Sequence, residues 1–273
     1  MPTLDVPGAV LDYATAGSGP HIVLVPGAPG NQTVFRFLVP HLSRHFTVAT
    51  YSRRGFSNSL LRGAQDYSQR LETDADDLAA LLKHVTGGTT AGAHIFGTSS
   101  GAVVALSFLH RHADVAIGKC VAHEPPSTTV LPPEQRAERQ AQLGSIYPLY
   151  RAKGAPHALE LFASVFPDAR DREMMPLLMD PAASADTRAD VMYWLEREMA
   201  YTLAEWDLGV LEGAGERLVL SIGERSEEGM PGEPVLALQK LLGRPKDELF
   251  VVPGAHIGYL TDPEAFAEAL SRL

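Results

Sequence analysis

The sequence predicts an α/β fold: a mostly parallel central sheet with helices on both faces, interrupted by an inserted block of helices. Three observations predict it. Short apolar runs alternate with amphipathic segments along most of the chain, the pattern of β-α-β units. Several runs, His21-Ile22-Val23-Leu24-Val25 among them, are apolar without alternation, as strands covered on both faces are. Strand signals vanish over 127–206 and then return, which assigns 1–126 and 207–273 to one core and 127–206 to a helical insertion, a candidate cap.

In chain order, Val10–Ala14 and His21–Val25 read as strands, the second broken by Pro26-Gly27-Ala28-Pro29-Gly30, which must turn. A helix is expected over 33–43, with Asn31 as its cap. Phe46–Tyr51 is the next strand. The Ser52-Arg53-Arg54-Gly55 segment after it reads as a structural turn rather than an anion site. Leu71, Leu78, Leu81, Leu82 and Val85 fall at helical spacing over 69–85, and Gly87-Gly88 ends that helix. Strands follow at 94–98 and 116–122. Within the insertion, helices are expected over 134–150, 157–166 and 189–203. The core resumes with strands at 217–222 and 249–252, a helix over 235–242, and a last helix from Pro263 with Asp262 as cap.

Composition narrows the function. The 273 residues carry a formal net charge of −10, the wrong sign for binding nucleic acid or an anionic membrane. No apolar run reaches the roughly 18 residues of a membrane span, and the N-terminus lacks the features of a signal peptide. Cys120 is the only cysteine and sits in an apolar strand, so no intrachain disulfide can form. A cytoplasmic protein acting on small molecules is the expectation, and a homodimer is compatible with it.

The chemistry centres on His94-Ile95-Phe96-Gly97-Thr98-Ser99-Ser100-Gly101, a strand, a Gly-x-Ser-x-Gly turn and a helix start. This is the order a nucleophilic serine needs: a tight turn whose flanking glycines make room, with a helix N-terminus beside the hydroxyl. A serine hydroxyl also needs a base. Of the 10 histidines, His256 is the one placed after the last strand, in Gly254-Ala255-His256-Ile257-Gly258. The Ala28 turn, Ser99, His123-Glu124 and His256 each follow a strand directly. In a parallel sheet such segments meet at one crevice, beyond the carboxyl ends of the strands.

With these pieces in hand, the chain resembles an α/β-hydrolase over nearly its whole length. The matching segments are Leu24-Val25-Pro26-Gly27-Ala28-Pro29-Gly30, Arg54-Gly55-Phe56-Ser57-Asn58-Ser59, Gly97-Thr98-Ser99-Ser100-Gly101 and Gly254-Ala255-His256-Ile257-Gly258-Tyr259. The resemblance implies the α/β-hydrolase fold, Ser99 as nucleophile, His256 as base, and an oxyanion hole made by the backbone N–H groups of Ala28 and Ser100. Most members place an Asp three residues beyond the Gly that ends the strand near Ile222; here Gly223 leads to Ser226. Glu124 is therefore taken as the acid. It follows a strand, and Pro125 biases its backbone towards an extended conformation, so no helix is expected to begin there. Glu224, Glu227 and Glu228 remain the alternatives. The Val-Pro start of the oxyanion turn, the Ser-Ser pair and His-Glu-x-Pro are similar to fungal zearalenone lactonases.

The expected activity is hydrolysis of a carboxylic ester or lactone of an apolar, aromatic-compatible substrate, with no metal or organic cofactor. Carbon–carbon bond hydrolysis by the same triad and a non-catalytic receptor on this fold are the alternatives. Dehalogenase and epoxide hydrolase chemistry would need a carboxylate where Ser99 stands. Met174, Met175, Met179, Met192, Tyr193, Trp194 and Met199 offer an apolar pocket wall, with Trp194 the first choice as a ligand contact. Gly27, Met192, Tyr193 and Ile257 are the other candidate substrate contacts. Trp206 is expected to pack where the insertion rejoins the core.

Overall fold

The computed structural model describes residues 2–226 and 229–273. The chain opens with β1 (Thr3–Val6), β2 (Ala9–Ala16) and β3 (His21–Val25), followed by α1 (Val39–Leu42) and β4 (Thr47–Tyr51). A two-residue strand, β5 (Leu60–Leu61), precedes α2 (Arg70–Val85), β6 (His94–Thr98), α3 (Ser100–Arg111) and β7 (Cys120–His123). Between β7 and the next strand the chain is helical: α4 (Pro133–Gly144), α5 (Ile146–Lys153), α6 (Ala155–Ala163), α7 (Ala169–Leu178), α8 (Ala185–Arg197) and α9 (Leu208–Gly213). The remainder is β8 (Leu218–Gly223), α10 (Gly232–Leu241), β9 (Phe250–Val252), α11 (Gly258–Thr261) and α12 (Pro263–Leu270).

The strands form one sheet in the order β1-β2-β4-β3-β6-β7-β8-β9, with β5 on the edge of β2. Pairing is antiparallel as far as β2–β4 and parallel from β4–β3 onwards. Side chains alternate between two apolar layers, which explains the continuous apolar runs. Ile22, Leu24, Phe96 and Val121 face α1 and α12, through Leu42, Phe266 and Leu270. Val23, Val25, Ile95, Cys120 and Ala122 face α2, α3 and α10, through Leu78, Leu82, Val103, Leu106 and Leu238.

The parallel register lines up the strand ends. Val25 is level with Gly97, Thr98 with His123, and His123 with Ser221. The turns that follow therefore start along one edge of the sheet and are bonded to each other. Ser99 N–H donates to the His123 carbonyl at 2.9 Å, Glu124 N–H to that of Ser221 at 3.1 Å, and Glu224 N–H to that of Val252 at 3.0 Å.

The insertion leaves and re-enters the core side by side. Thr128 Oγ1 donates to the Thr202 carbonyl at 2.7 Å, and Trp206 Nε1 to Ser127 Oγ at 3.2 Å. Leu143, Ile146, Phe162, Met175 and Trp194 join the apolar layer on the α12 side of the sheet. No helix among the described residues is long and apolar enough to cross a membrane.

Prolines account for the clearest departures from expectation. The helix expected over 33–43 is a 3-10 turn, Gln32–Phe35, and the single turn α1, with Pro40 at the start of the second piece. Asn31 does cap the first, accepting from Thr33 N–H at 3.1 Å. The helix expected over 134–150 breaks into α4 and α5, because Pro148 has no N–H for the Gly144 carbonyl and its ring crowds it. Helix α7 was not expected. Pro176 lies inside it, and Asp168 caps it by accepting from the Arg170 and Asp171 N–H groups. Asp262 makes no side-chain cap for α12; it accepts from Thr261 Oγ1 instead.

Candidate active site

Ser99 sits between β6 and α3 with φ 54° and ψ −126°, a conformation that ordinary residues avoid. The neighbouring glycines explain how so sharp a turn fits. A Cβ on Gly97 would lie 2.4 Å from the Gly101 carbonyl oxygen, and one on Gly101 would lie 2.3 Å from that of Val25. A Cβ on Gly27 would meet Ser99 Cβ at 2.9 Å, so the turn after β3 lies directly against the serine. Among the described residues the non-glycine positions with positive φ are Ser57, Ser99 and Glu124. Two of the three, Ser99 and Glu124, stand at this edge of the sheet, and the φ of 50° at Glu124 corrects the extended backbone expected before Pro125.

Glu124 and His256 meet although 132 positions apart: His256 Nδ1 lies 2.7 Å from Glu124 Oε2. A carboxylate can only accept, so Nδ1 carries a proton, and in the neutral ring Nε2 keeps the lone pair. The other carboxylate oxygen accepts from Gly223 N–H at 2.8 Å. Burial pushes the Glu124 carboxyl up, but His123 beside it, the His256 hydrogen bond and the Gly223 N–H outweigh that and hold it below the usual carboxylate range. Ser99, His256, Ala28 and Ser100 line one cavity. No acceptor for the Ala28 or Ser100 N–H is found among the described residues.

Most of the cavity wall comes from the insertion: Leu143, Phe162, Val165, Phe166, Trp194 and Met199. Trp194 lies against Phe162, with ring centroids 4.7 Å apart. Its neighbours in α8 do not accompany it. A helix turns about 100° per residue, which swings Tyr193 towards Phe56, Tyr67 and Arg70 and turns Met192 outward, 46% exposed. Neither lines the cavity, and the expectation for both is corrected accordingly. Gly27 and Ile257 are also absent from its wall. Gly27 serves the close approach to Ser99, and Ile257 is buried in the apolar layer.

The other acids stand apart. Glu224 is exposed, and Ser226, at the position where the resemblance would place a carboxylate, is buried. Glu227 and Glu228 lie outside the described residues.

Two partners of His256, Phe166 and Asp171, left no mark in the sequence pattern. Phe166 stacks on its ring, with centroids 5.0 Å apart and planes 27° from parallel. Asp171, from α7, accepts from its backbone N–H at 2.9 Å. Burial pushes the Asp171 carboxyl up to about 6, against the pull of His256. His123 lies 3.3 Å through Nε2 from the His256 carbonyl and 3.1 Å through Nδ1 from Ser221 Oγ. A carbonyl only accepts, so Nε2 carries the proton, and the buried neutral ring accepts a hydrogen bond from the Ser221 hydroxyl at Nδ1. His123, Glu124 and His256 place ligand-type atoms within 4.8 Å of one another. Each of the three also hydrogen-bonds to a protein partner.

His123 gives the fold an acid-sensitive point. Burial lowers its pKa from 6.5 to about 4. Between those values the unfolded chain takes up a proton that the folded chain refuses. The stabilisation is therefore complete above pH 6.5 and is lost as pH falls towards 4, on the order of 3 kcal/mol. Asp171 acts in the opposite direction in wild type and variant alike. The unfolding free energy of His123→Gln is expected to fall less steeply between pH 6.5 and 4 than that of wild type. Parallel slopes would contradict the assignment.

Residues 22–269 match the alpha/beta hydrolase family. An uncharacterized hydrolase of Bacillus subtilis, YraK, is 29% identical over 269 residues, covering 98% of this chain and 93% of its own. Among solved structures, an N-acyl homoserine lactone degrading enzyme superposes with a TM-score of 0.72 at 18% identity, over 100% of both chains. The enol-lactonase of Burkholderia xenovorans gives 0.69 at 18%, over 99% of this chain and 98% of its own. A meta-cleavage product hydrolase from Pseudomonas fluorescens gives 0.73 at 16%, over 100% and 96%. These likenesses carry the fold, and with the family match over most of its length the chain belongs to the alpha/beta hydrolases.

Proposed function

We propose that this hydrolase cleaves a carboxylic ester or lactone through an acyl-enzyme on Ser99. The observation that carries the reading is the 2.7 Å contact of His256 Nδ1 with Glu124, which makes Nε2 the nitrogen with the lone pair in the neutral ring of a residue sharing a cavity with Ser99. Ser99 Oγ attacks the carbonyl carbon while His256 Nε2 takes its proton. The Ala28 and Ser100 N–H groups donate to the oxygen that becomes negative. The imidazolium, held by the Glu124 carboxylate, then protonates the departing alcohol. Water deprotonated by His256 releases the acid and restores Ser99.

The cavity wall of Leu143, Phe162, Phe166, Trp194 and Met230 suits an apolar, aromatic-compatible acyl group. Lactone cleavage is in keeping with the fold neighbours that act on lactones, and a macrocyclic lactone of the zearalenone type belongs in the first screen. The test is turnover of para-nitrophenyl acetate, a bulky aromatic ester, a small lactone and zearalenone. Hydrolysis of at least one ester or lactone is expected; cleavage of a diketone carbon–carbon bond with no ester or lactone turned over would overturn the reading. Trp194→Ala is expected to lower kcat/KM for the bulky ester by about tenfold, equivalent to about 1.4 kcal/mol of lost apolar contact. The acetate should be far less affected. Equal losses on both would indicate disturbed folding or catalysis rather than a binding wall.

A further inference from the structure

Arg53 is buried beneath the turn that carries Ala28, and its guanidinium is fully engaged. Nε donates to the Pro26 carbonyl at 3.0 Å and Nη2 to that of Gly27 at 2.8 Å. Glu198 closes on its other side, with Oε1 2.6 Å from Nη1 and Oε2 2.7 Å from Nη2. Asp74 Oδ2 accepts from Nη1 at 3.1 Å, and Ser100 Oγ lies 3.5 Å from Nη2. Glu198 also accepts from Arg70 Nη2 at 3.0 Å. It belongs to the insertion, at the end of α8, and it lines the cavity with Ser99 and His256.

The Gly27–Ala28 peptide is planar and trans, so its C=O and N–H point in opposite directions. The Gly27 oxygen is fixed by Arg53 and by the Gly30 N–H, which donates to it at 2.8 Å. Fixing that oxygen aims the Ala28 N–H away from the guanidinium. The Arg53 fork is in turn set by Glu198, because a bidentate pair fixes both position and plane.

We infer that the Arg53–Glu198 pair is a positioning device: it aims the oxyanion-hole N–H of Ala28 and makes its aim depend on the inserted helices being seated. The inference rests on the serine-hydrolase reading above. An apolar pair of the same volume would fill the space but leave the Pro26 carbonyl without its Arg53 donor and the Gly27 carbonyl held by the Gly30 N–H alone. A buried pair of this kind adds little net stability over such a replacement. What it supplies here is direction.

The experiment compares Glu198→Gln and Arg53→Lys with wild type and with Arg54→Lys. Arg54 forms the adjacent buried pair, 2.6 Å from Asp77, and does not touch the oxyanion turn. Each protein is assayed for ester kcat and KM and for affinity towards phenylethylboronic acid, whose tetrahedral adduct on Ser99 places an oxygen in the hole. Loss of one oxyanion donor costs about 10² to 10³ in kcat, so a misaimed donor should cost roughly 10- to 100-fold. Glu198→Gln and Arg53→Lys should lose that factor in kcat and a matching factor in boronate affinity, with KM little changed. Arg54→Lys should lower Tm and leave boronate affinity intact. The proposal is overturned if kcat and boronate affinity in both variants stay within about threefold of wild type, far short of the loss of a donor. It is equally overturned if neither variant folds, which would assign the pair to folding. A wild type that neither turns over esters nor forms the adduct refutes the serine-hydrolase reading itself, and the inference with it.

Discussion

Ser99→Ala is expected to lose turnover by roughly a thousandfold or more, the scale seen when a serine nucleophile is removed, while folding as wild type does. The substitution deletes only Oγ. The Cβ that packs beside Gly27 remains, as do the backbone at φ 54° and the bond from Ser99 N–H to the His123 carbonyl. Tm should therefore change little and substrate binding should persist. A fluorophosphonate, which reacts with an activated serine hydroxyl, should label wild type at Ser99 and leave the variant unlabelled. Labelling at another residue, or turnover within about tenfold of wild type, contradicts nucleophilic catalysis by Ser99. This outcome separates an enzyme from a receptor on the same fold, because a receptor has no use for an activated hydroxyl.

The parts legible in the sequence are those governed by the parallel sheet. Ser99 and Glu124 directly follow strands, His256 lies in the loop after β9, and register brings strand ends together without any long-range information in the local pattern. The insertion obeys no such rule. Phe166, Asp171 and Glu198 reach the site through the packing of helices against the core. Nothing in the spacing of an amphipathic helix says which element its apolar face will meet. The contrast within α8 is instructive. Met192, Tyr193 and Trp194 are consecutive, and composition treats them alike, but only Trp194 turns inward to the cavity. Proline is the other source of difference. Pro40 and Pro148 divide segments whose apolar periodicity alone reads as continuous helix. The Arg53-Arg54 turn shows the limit from the other side. A structural role was legible from its place after a strand, whereas the Glu198 partner, 145 residues away, was not.

Glu124→Gln should cut turnover by at least about a hundredfold, set below the roughly 10⁴-fold loss known for the acid of a serine protease triad. The reason lies in the two bonds the carboxylate accepts, from His256 Nδ1 at 2.7 Å and from Gly223 N–H at 2.8 Å. A glutamine side chain has one oxygen and one NH₂. With the oxygen towards Gly223, the NH₂ faces Nδ1, and His256 must carry its proton on Nε2, where the base should be. With the oxygen towards His256, the NH₂ confronts the buried Gly223 N–H, and two donors meet with no acceptor. Either orientation also removes the negative charge that stabilises the imidazolium. Ester turnover, with Tm measured alongside to separate chemistry from folding, should thus fall in Glu124→Gln and stay near wild type in Glu224→Gln, whose side chain is exposed. The corresponding changes at Glu227 and Glu228 complete the set. A folded Glu124→Gln of nearly full activity, with one of the other three severely impaired, would move the acid to the turn after β8 and overturn the triad proposed here.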